Sequence, residues 1–145
     1  MILQIKNVQL LDYYIHYLKQ LIEKFVIKTD NEYSVEDTVN FLYRKLTDPD
    51  TLILIKLDKN YIPKGYAIII VGYNMCNKKI AHFWQVAHSN GKIDWQEMLQ
   101  KTLEILKPYG IEKISFSTKR NIKAFKRLFK LNGYQEYTLF EKEVN

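Results

Sequence analysis

Apolar positions recur along this chain with two periods, and the alternation between them sketches a fold. Ile2, Leu3, Ile5 and Val8 read as a short opening strand. Leu11, Tyr14, Ile15, Leu18, Leu21, Ile22 and Phe25 recur at spacings that place them on one stripe of a helix, from about Leu10 to Val26. Val35, Val39, Leu42 and Leu46 fit one face of a second helix. Ser34 precedes Asp37 with the spacing of a capping box, and Asp48-Pro49 stops the helix. Thr51 to Leu57 is β-branched and apolar, Lys59-Asn60 opens a turn, and Gly65 to Tyr73 is a second apolar run. The two runs read as a hairpin. Lys79 to His88 is a fourth strand by alternation. It places Ile80, His82, Trp84, Val86 and His88 on one face, and Ala81, Phe83, Gln85 and Ala87 on the other.

The third helix is the best defined. Asp94 and Glu97 have cap spacing, and Trp95, Met98, Leu99, Thr102, Leu103 and Leu106 form a continuous apolar stripe. Pro108 and Gly110 stop it. Ile111, Ile114, Phe116 and Thr118 predict a fifth strand, Asn121 to Leu131 a last helix, and Tyr134 to Val144 a last strand. The order is β-α-α-β-β-β-α-β-α-β. With 145 residues, no internal repeat and no linker, residues 1–145 are expected to form one α/β (α+β) domain around a mixed sheet of about six strands.

Composition narrows the functions. No apolar run approaches the ~20 residues of a membrane span, and the opening MILQIKNVQ carries polar residues where a signal peptide is apolar. Membrane attachment and export are therefore not expected, and a cytoplasmic location is. Cys76 is the single cysteine, so no internal disulfide can form. It has no His/Asp partner at readable spacing, so it reads as an ordinary thiol. Three histidines and that cysteine are scattered, so no metal site is expected. The net charge of +6 favours polyanions or acidic protein surfaces. Lys123, Lys126, Arg127 and Lys130 would share one face of the last helix, opposite Ala124, Phe125, Leu128 and Phe129, as a solvated face or a phosphate contact.

The stretch Ile111 to Tyr134, IEKISFSTKRNIKAFKRLFKLNGY, carries a more specific signal. An alternating strand runs into Arg120-Asn121, a basic amphipathic helix follows, then Gly133-Tyr134 and a closing strand ending Glu-Lys-Glu-Val. This order resembles the C-terminal half of the GNAT acyltransferase superfamily, and in its helix and closing strand it is similar to GNAT-like proteins of tailed bacteriophages. The resemblance implies a GNAT-like fold over nearly the whole chain. It also implies a place for acyl-CoA. In the family, a loop between strand four and helix three with the pattern [Q/R]-x-x-G-x-[G/A] points backbone N–H groups at the pyrophosphate, helped by the helix dipole.

The corresponding stretch here runs from Val86 to Trp95, VAHSNGKIDW. Val86, Gly91, Lys92 and Asn121 are the cofactor-binding candidates that the resemblance supplies. Ile93 and Trp95 fall where small residues would let a phosphate approach. Asp94, if it caps its own helix, takes the amides that phosphate needs. At ~4 Å and an effective dielectric of about 20, each charge pair with phosphate costs roughly 4 kcal/mol before screening. A micromolar affinity is only roughly 8 kcal/mol.

Catalytic candidates are few. The family's acidic tyrosine position falls on Phe129, which has no proton to give. Tyr134 and Tyr137 lie nearby, and Tyr134 matches a core aromatic of the family. His82 and His88 are base candidates on strand four. The expectation is a GNAT-fold module with a degenerate acyl-CoA site. It would be non-catalytic and bind no acetyl-CoA. It would act through a protein partner, as a structural or interaction component of phage type that could be incorporated in a virion. The alternative is an active acetyl-CoA-dependent N-acetyltransferase.

Overall fold

The computed structural model describes residues 1–28, 34–88, 95–116, 123, 127 and 142–144, with residues 95–98 as backbone. Strand β1 (Ile2–Ile5) leads into helix α1 (Val8–Lys28) and helix α2 (Val35–Lys45). Strands β2 (Thr51–Leu57), β3 (Pro63–Tyr73) and β4 (Lys79–His88) follow, then helix α3 (Trp95–Leu106), a 3₁₀ turn (Lys107–Tyr109) and strand β5 (Lys113–Phe116). The sheet has five described strands in the order β1-β2-β3-β4-β5. Its first three pairings are antiparallel, and β4 pairs with β5 in parallel across α3. This is a mixed α/β architecture, as the sequence predicts.

Val8 does not extend β1. Asn7 Oδ1 accepts from the Leu10 N–H at 2.8 Å, and this cap starts α1 two residues before the predicted boundary. Leu11, Tyr14, Leu18, Leu21, Ile22, Phe25 and Val26 turn one stripe of α1 into the core. Ser34 caps α2 as expected, its Oγ accepting from the Asp37 N–H at 2.9 Å. The third helix ends in the 3₁₀ turn and at Gly110, whose φ of 68° is the left-handed conformation that glycine adopts cheaply. Lys123 and Arg127 are helical, within the predicted last helix, and Lys142 to Val144 carry no strand, so the predicted closing strand does not reach them. The rest of that helix and strand lies outside the described residues.

The sheet divides two apolar clusters. Ile53, Ile55, Leu57, Tyr66, Ile68 and Ala87 face α1 and α2. Leu52, Leu54, Ala67, Ile69, Val71, Ala81 and Phe83 face the other way, packing with Leu106 of α3. Strands β2 and β3 alternate regularly between the two over Leu52 to Ile55 and Tyr66 to Ile69, whereas β4 switches midway. Ile69 pairs with Phe83 but Ile68 pairs with Gln85, so Trp84 is an extra residue, a β-bulge. Before it, Ala81 and Phe83 lie on the α3 side; after it, Ala87 lies on the α1/α2 side.

Candidate functional site

The bulge rearranges the predicted faces of strand four. His82 stands between Ala81 and Phe83, so it takes the α1/α2 face. Trp84 packs against the α1/α2 cluster, and so does Gln85, whose Oε1 accepts from the buried Tyr66 hydroxyl at 3.0 Å. Val86 packs on the α3 side, and His88 follows it there, opposite Ala87. His82 and His88 are therefore on opposite faces of the sheet, not together as uninterrupted alternation predicts. No glycine or proline in this part of β4 signals the bulge, so the sequence alone could not reveal it.

His82 has a partner on the neighbouring strand. It is in register with Ser115 of β5, and its Nδ1 lies 2.7 Å from Ser115 Oγ. The ring is half-buried, and burial pushes its pKa below the ordinary histidine value of 6.5. At neutral pH the imidazole is thus neutral. When Nδ1–H donates to Ser115, Nε2 carries the lone pair, the form a general base needs. The described β4–β5 ladder covers Ile80 to Phe83 against Lys113 to Phe116, the half of β4 before the bulge. His82 sits one residue before its end, close to the bulge at Trp84.

His88 is held differently. A Cβ on Gly65, its partner on β3, would lie 2.9 Å from the His88 ring and 3.0 Å from the Ala87 carbonyl oxygen. The glycine leaves room for the His88 ring to pack close against β3.

Beside Trp84, between β4 and α2, lies a groove of about 390 Å³ lined by Asp37, Thr38, Asn40, Phe41, Arg44 and Trp84. The Phe41 and Trp84 rings are 4.4 Å apart between centroids, and the Arg44 guanidinium lies over Phe41 at 5.7 Å. In the sequence Asp37 reads only as part of a helix cap and Trp84 only as a strand residue. The spacing of the α2 residues was legible, and so was the face that Trp84 shares with His82, but not that α2 covers that face.

Gly91, Lys92, Ile93 and Asp94 lie outside the described residues, as do Asn121, Phe129, Tyr134 and Tyr137, and the Trp95 side chain is not described. The expected capping by Asp94 is therefore not among the observed contacts. Lys123 and Arg127 are exposed and four residues apart, on one helical face; Lys126 and Lys130 lie outside the described residues. Cys76 is exposed in the turn between β3 and β4, where Asn74 Oδ1 accepts from its N–H at 3.0 Å. Among the described residues, no group of His, Cys, Asp and Glu is arranged to hold a metal ion, and no helix is long and apolar enough to cross a membrane.

No protein-family model matches the sequence, and neither does any curated protein sequence. Solved structures do match along almost the whole chain. A GNAT family acetyltransferase from Staphylococcus aureus is similar at 13% identity with a TM-score of 0.72, covering 99% of this chain and 98% of that one. An aminoglycoside acetyltransferase from an uncultured soil metagenomic sample is similar at 13% identity and TM-score 0.73, covering 100% and 98%. The aminoglycoside 6'-N-acetyltransferase of Acinetobacter haemolyticus is similar at 10% identity and TM-score 0.67, covering 100% and 99%. Identities this low speak for the architecture only. The fold of this chain is that of the GNAT acetyltransferases.

Proposed function

We propose that this protein is an acetyl-CoA-dependent N-acetyltransferase acting on a primary amine. The observation that carries the reading is His82: neutral at pH 7, hydrogen-bonded to Ser115 across the β4–β5 ladder, and one residue from the end of that ladder at the bulge. Bulges re-aim side chains and recur beside active sites. The reaction needs a base to take the proton from the ammonium form of the acceptor, so that the nitrogen lone pair can attack. The nitrogen would bond to the acyl carbon as the carbon–sulfur bond of the thioester breaks, and the second proton of the nitrogen would pass to the departing thiolate. Acetyl-CoA supplies the activated acyl group; His82 takes the amine proton through Nε2; Ser115 fixes the ring. Val86, Gly91, Lys92 and Asn121 remain the residues proposed to hold the coenzyme.

The test is thiol release from acetyl-CoA in the presence of a panel of primary amines, diamines and aminoglycosides included. Amine-dependent release is expected. It should fall at least about a hundredfold in His82→Ala, the scale of one general base, and persist in His88→Ala. Release that is unchanged in His82→Ala would contradict the assignment.

A second reading has its own support. Ile93, Asp94 and Trp95 depart from the phosphate-loop pattern, and Phe129 replaces a proton donor. These departures suit a non-catalytic interaction module of phage type, working through a protein partner in a larger assembly. Failure to bind acetyl-CoA, with co-purification of a stoichiometric protein partner, would favour it.

A further inference from the structure

We infer that the groove between α2 and β4 is a binding site for a short peptide segment of about three residues, with a free amino end, an apolar middle and a carboxylate end. The inference goes beyond the transfer reaction and does not depend on it. Asp37, Asn40, Phe41 and Arg44 fall at i, i+3, i+4 and i+7 on α2, so all four line one side of the helix. The seven steps from Asp37 to Arg44 span ~10 Å along the axis at about 1.5 Å per residue. Both ends are charged and exposed, with opposite signs, and neither forms an ion pair with another described residue.

The middle is apolar. Phe41 and Trp84 make a floor of two tilted rings, each half-buried, whose remaining surface faces the groove. Arg44 lies over the Phe41 ring, which orients the guanidinium and leaves its N–H edge for a carboxylate fork. The groove is therefore negative at one end, aromatic at its centre and positive at the other. An α-amino acid is too short to satisfy both ends. An extended chain covers ~3.3–3.6 Å per residue, so about three residues bridge ~10 Å. The ammonium terminus would sit at Asp37, an apolar side chain on Phe41 and Trp84, and the carboxylate at Arg44. Asn40 lies between, with an amide able to meet the peptide backbone.

The experiment is calorimetric titration of the full chain, without any acyl donor, with four peptides: Gly-Phe-Gly, its N-acetyl form, its C-terminal amide, and Gly-Gly-Gly. Gly-Phe-Gly should bind tightest, and each other peptide about tenfold or more weakly. Asp37→Asn should remove the penalty of N-acetylation, and Arg44→Gln the penalty of amidation. Both side chains are exposed, so these variants should keep the wild-type circular dichroism spectrum. Equal affinity for all four peptides, no saturable binding at millimolar peptide, or penalties that survive the two substitutions would overturn the proposal. Because no acetyl-CoA is present, either result leaves the transfer assay to be judged on its own.

Discussion

Burial of the His82 ring favours its neutral form, and the sign of that effect fixes a pH profile. The folded value lies below the unfolded 6.5. If His82 is the base, kcat/KM should rise with pH through an apparent pKa under 6.5 and be level from pH 7 upward. An apparent pKa above 7 would point to another base. The same shift makes stability pH-dependent. The contribution is fully present above the unfolded value and is lost as pH falls through the folded one, because the unfolded chain then binds the proton first. Tyr43 shows the opposite sign. Its hydroxyl donates to Asp12, a bond that joins α2 to α1, and chiefly for that reason its pKa is pushed up to about 12. Its contribution is present below pH ~10 and lost as pH rises through 12. Tyr43→Phe should cost about 1 kcal/mol at pH 8, a value reduced for solvent exposure. Urea titrations should show the difference from wild type shrinking above pH 10. His82 was legible in the sequence as a titratable residue on a strand. Its partner was not, because Ser115 lies 33 residues away and meets it only through strand register.

At the level of elements, the bulge in β4 organises the site. Without the bulge, Gln85 and Ala87 would turn to the α3 side and His88 would share a face with His82, whereas Trp84 keeps the His82 face either way. Gly65 shows how tightly the two strands approach past the bulge. Gly65→Ala places a methyl 2.9 Å from the His88 ring and 3.0 Å from the Ala87 carbonyl, and that backbone oxygen has little room to move. We expect a loss of ~1–3 kcal/mol, read as a lower urea midpoint with an unchanged slope. A neutral substitution would mean that β3 and β4 separate freely there. Elements themselves were largely legible. Helices α1 and α2 follow from the apolar stripe and from Ser34, and the β2–β3 hairpin from two apolar runs about a turn. What escaped the pattern was the switch of faces inside β4. Strand alternation assumes a period of two, and one inserted residue reverses it without changing composition.

For the whole molecule, architecture was readable and chemistry only in part. The element order and the mixed sheet came from the apolar pattern, and the overall fold is what this chain shares with the solved acetyltransferases. Charge is a property at this scale too. A net +6, with Lys123 and Arg127 exposed on one helical face, suits contact with polyanions. Heparin affinity should fall steeply as salt is raised from low to physiological, and a flat response would dismiss the contact. Donor-site chemistry was the hardest to read. Ile93, Asp94 and Trp95 argue against a phosphate loop by residue type, whereas His82, Ser115 and the bulge argue for a working centre by position. The two lines diverge on one quantity, the affinity for acetyl-CoA. Calorimetric titration of the protein with acetyl-CoA measures it directly. Saturable micromolar binding, equally tight in His82→Ala, is the result predicted for a transferase whose base is separate from its donor site; no detectable heat of binding at millimolar coenzyme would contradict it.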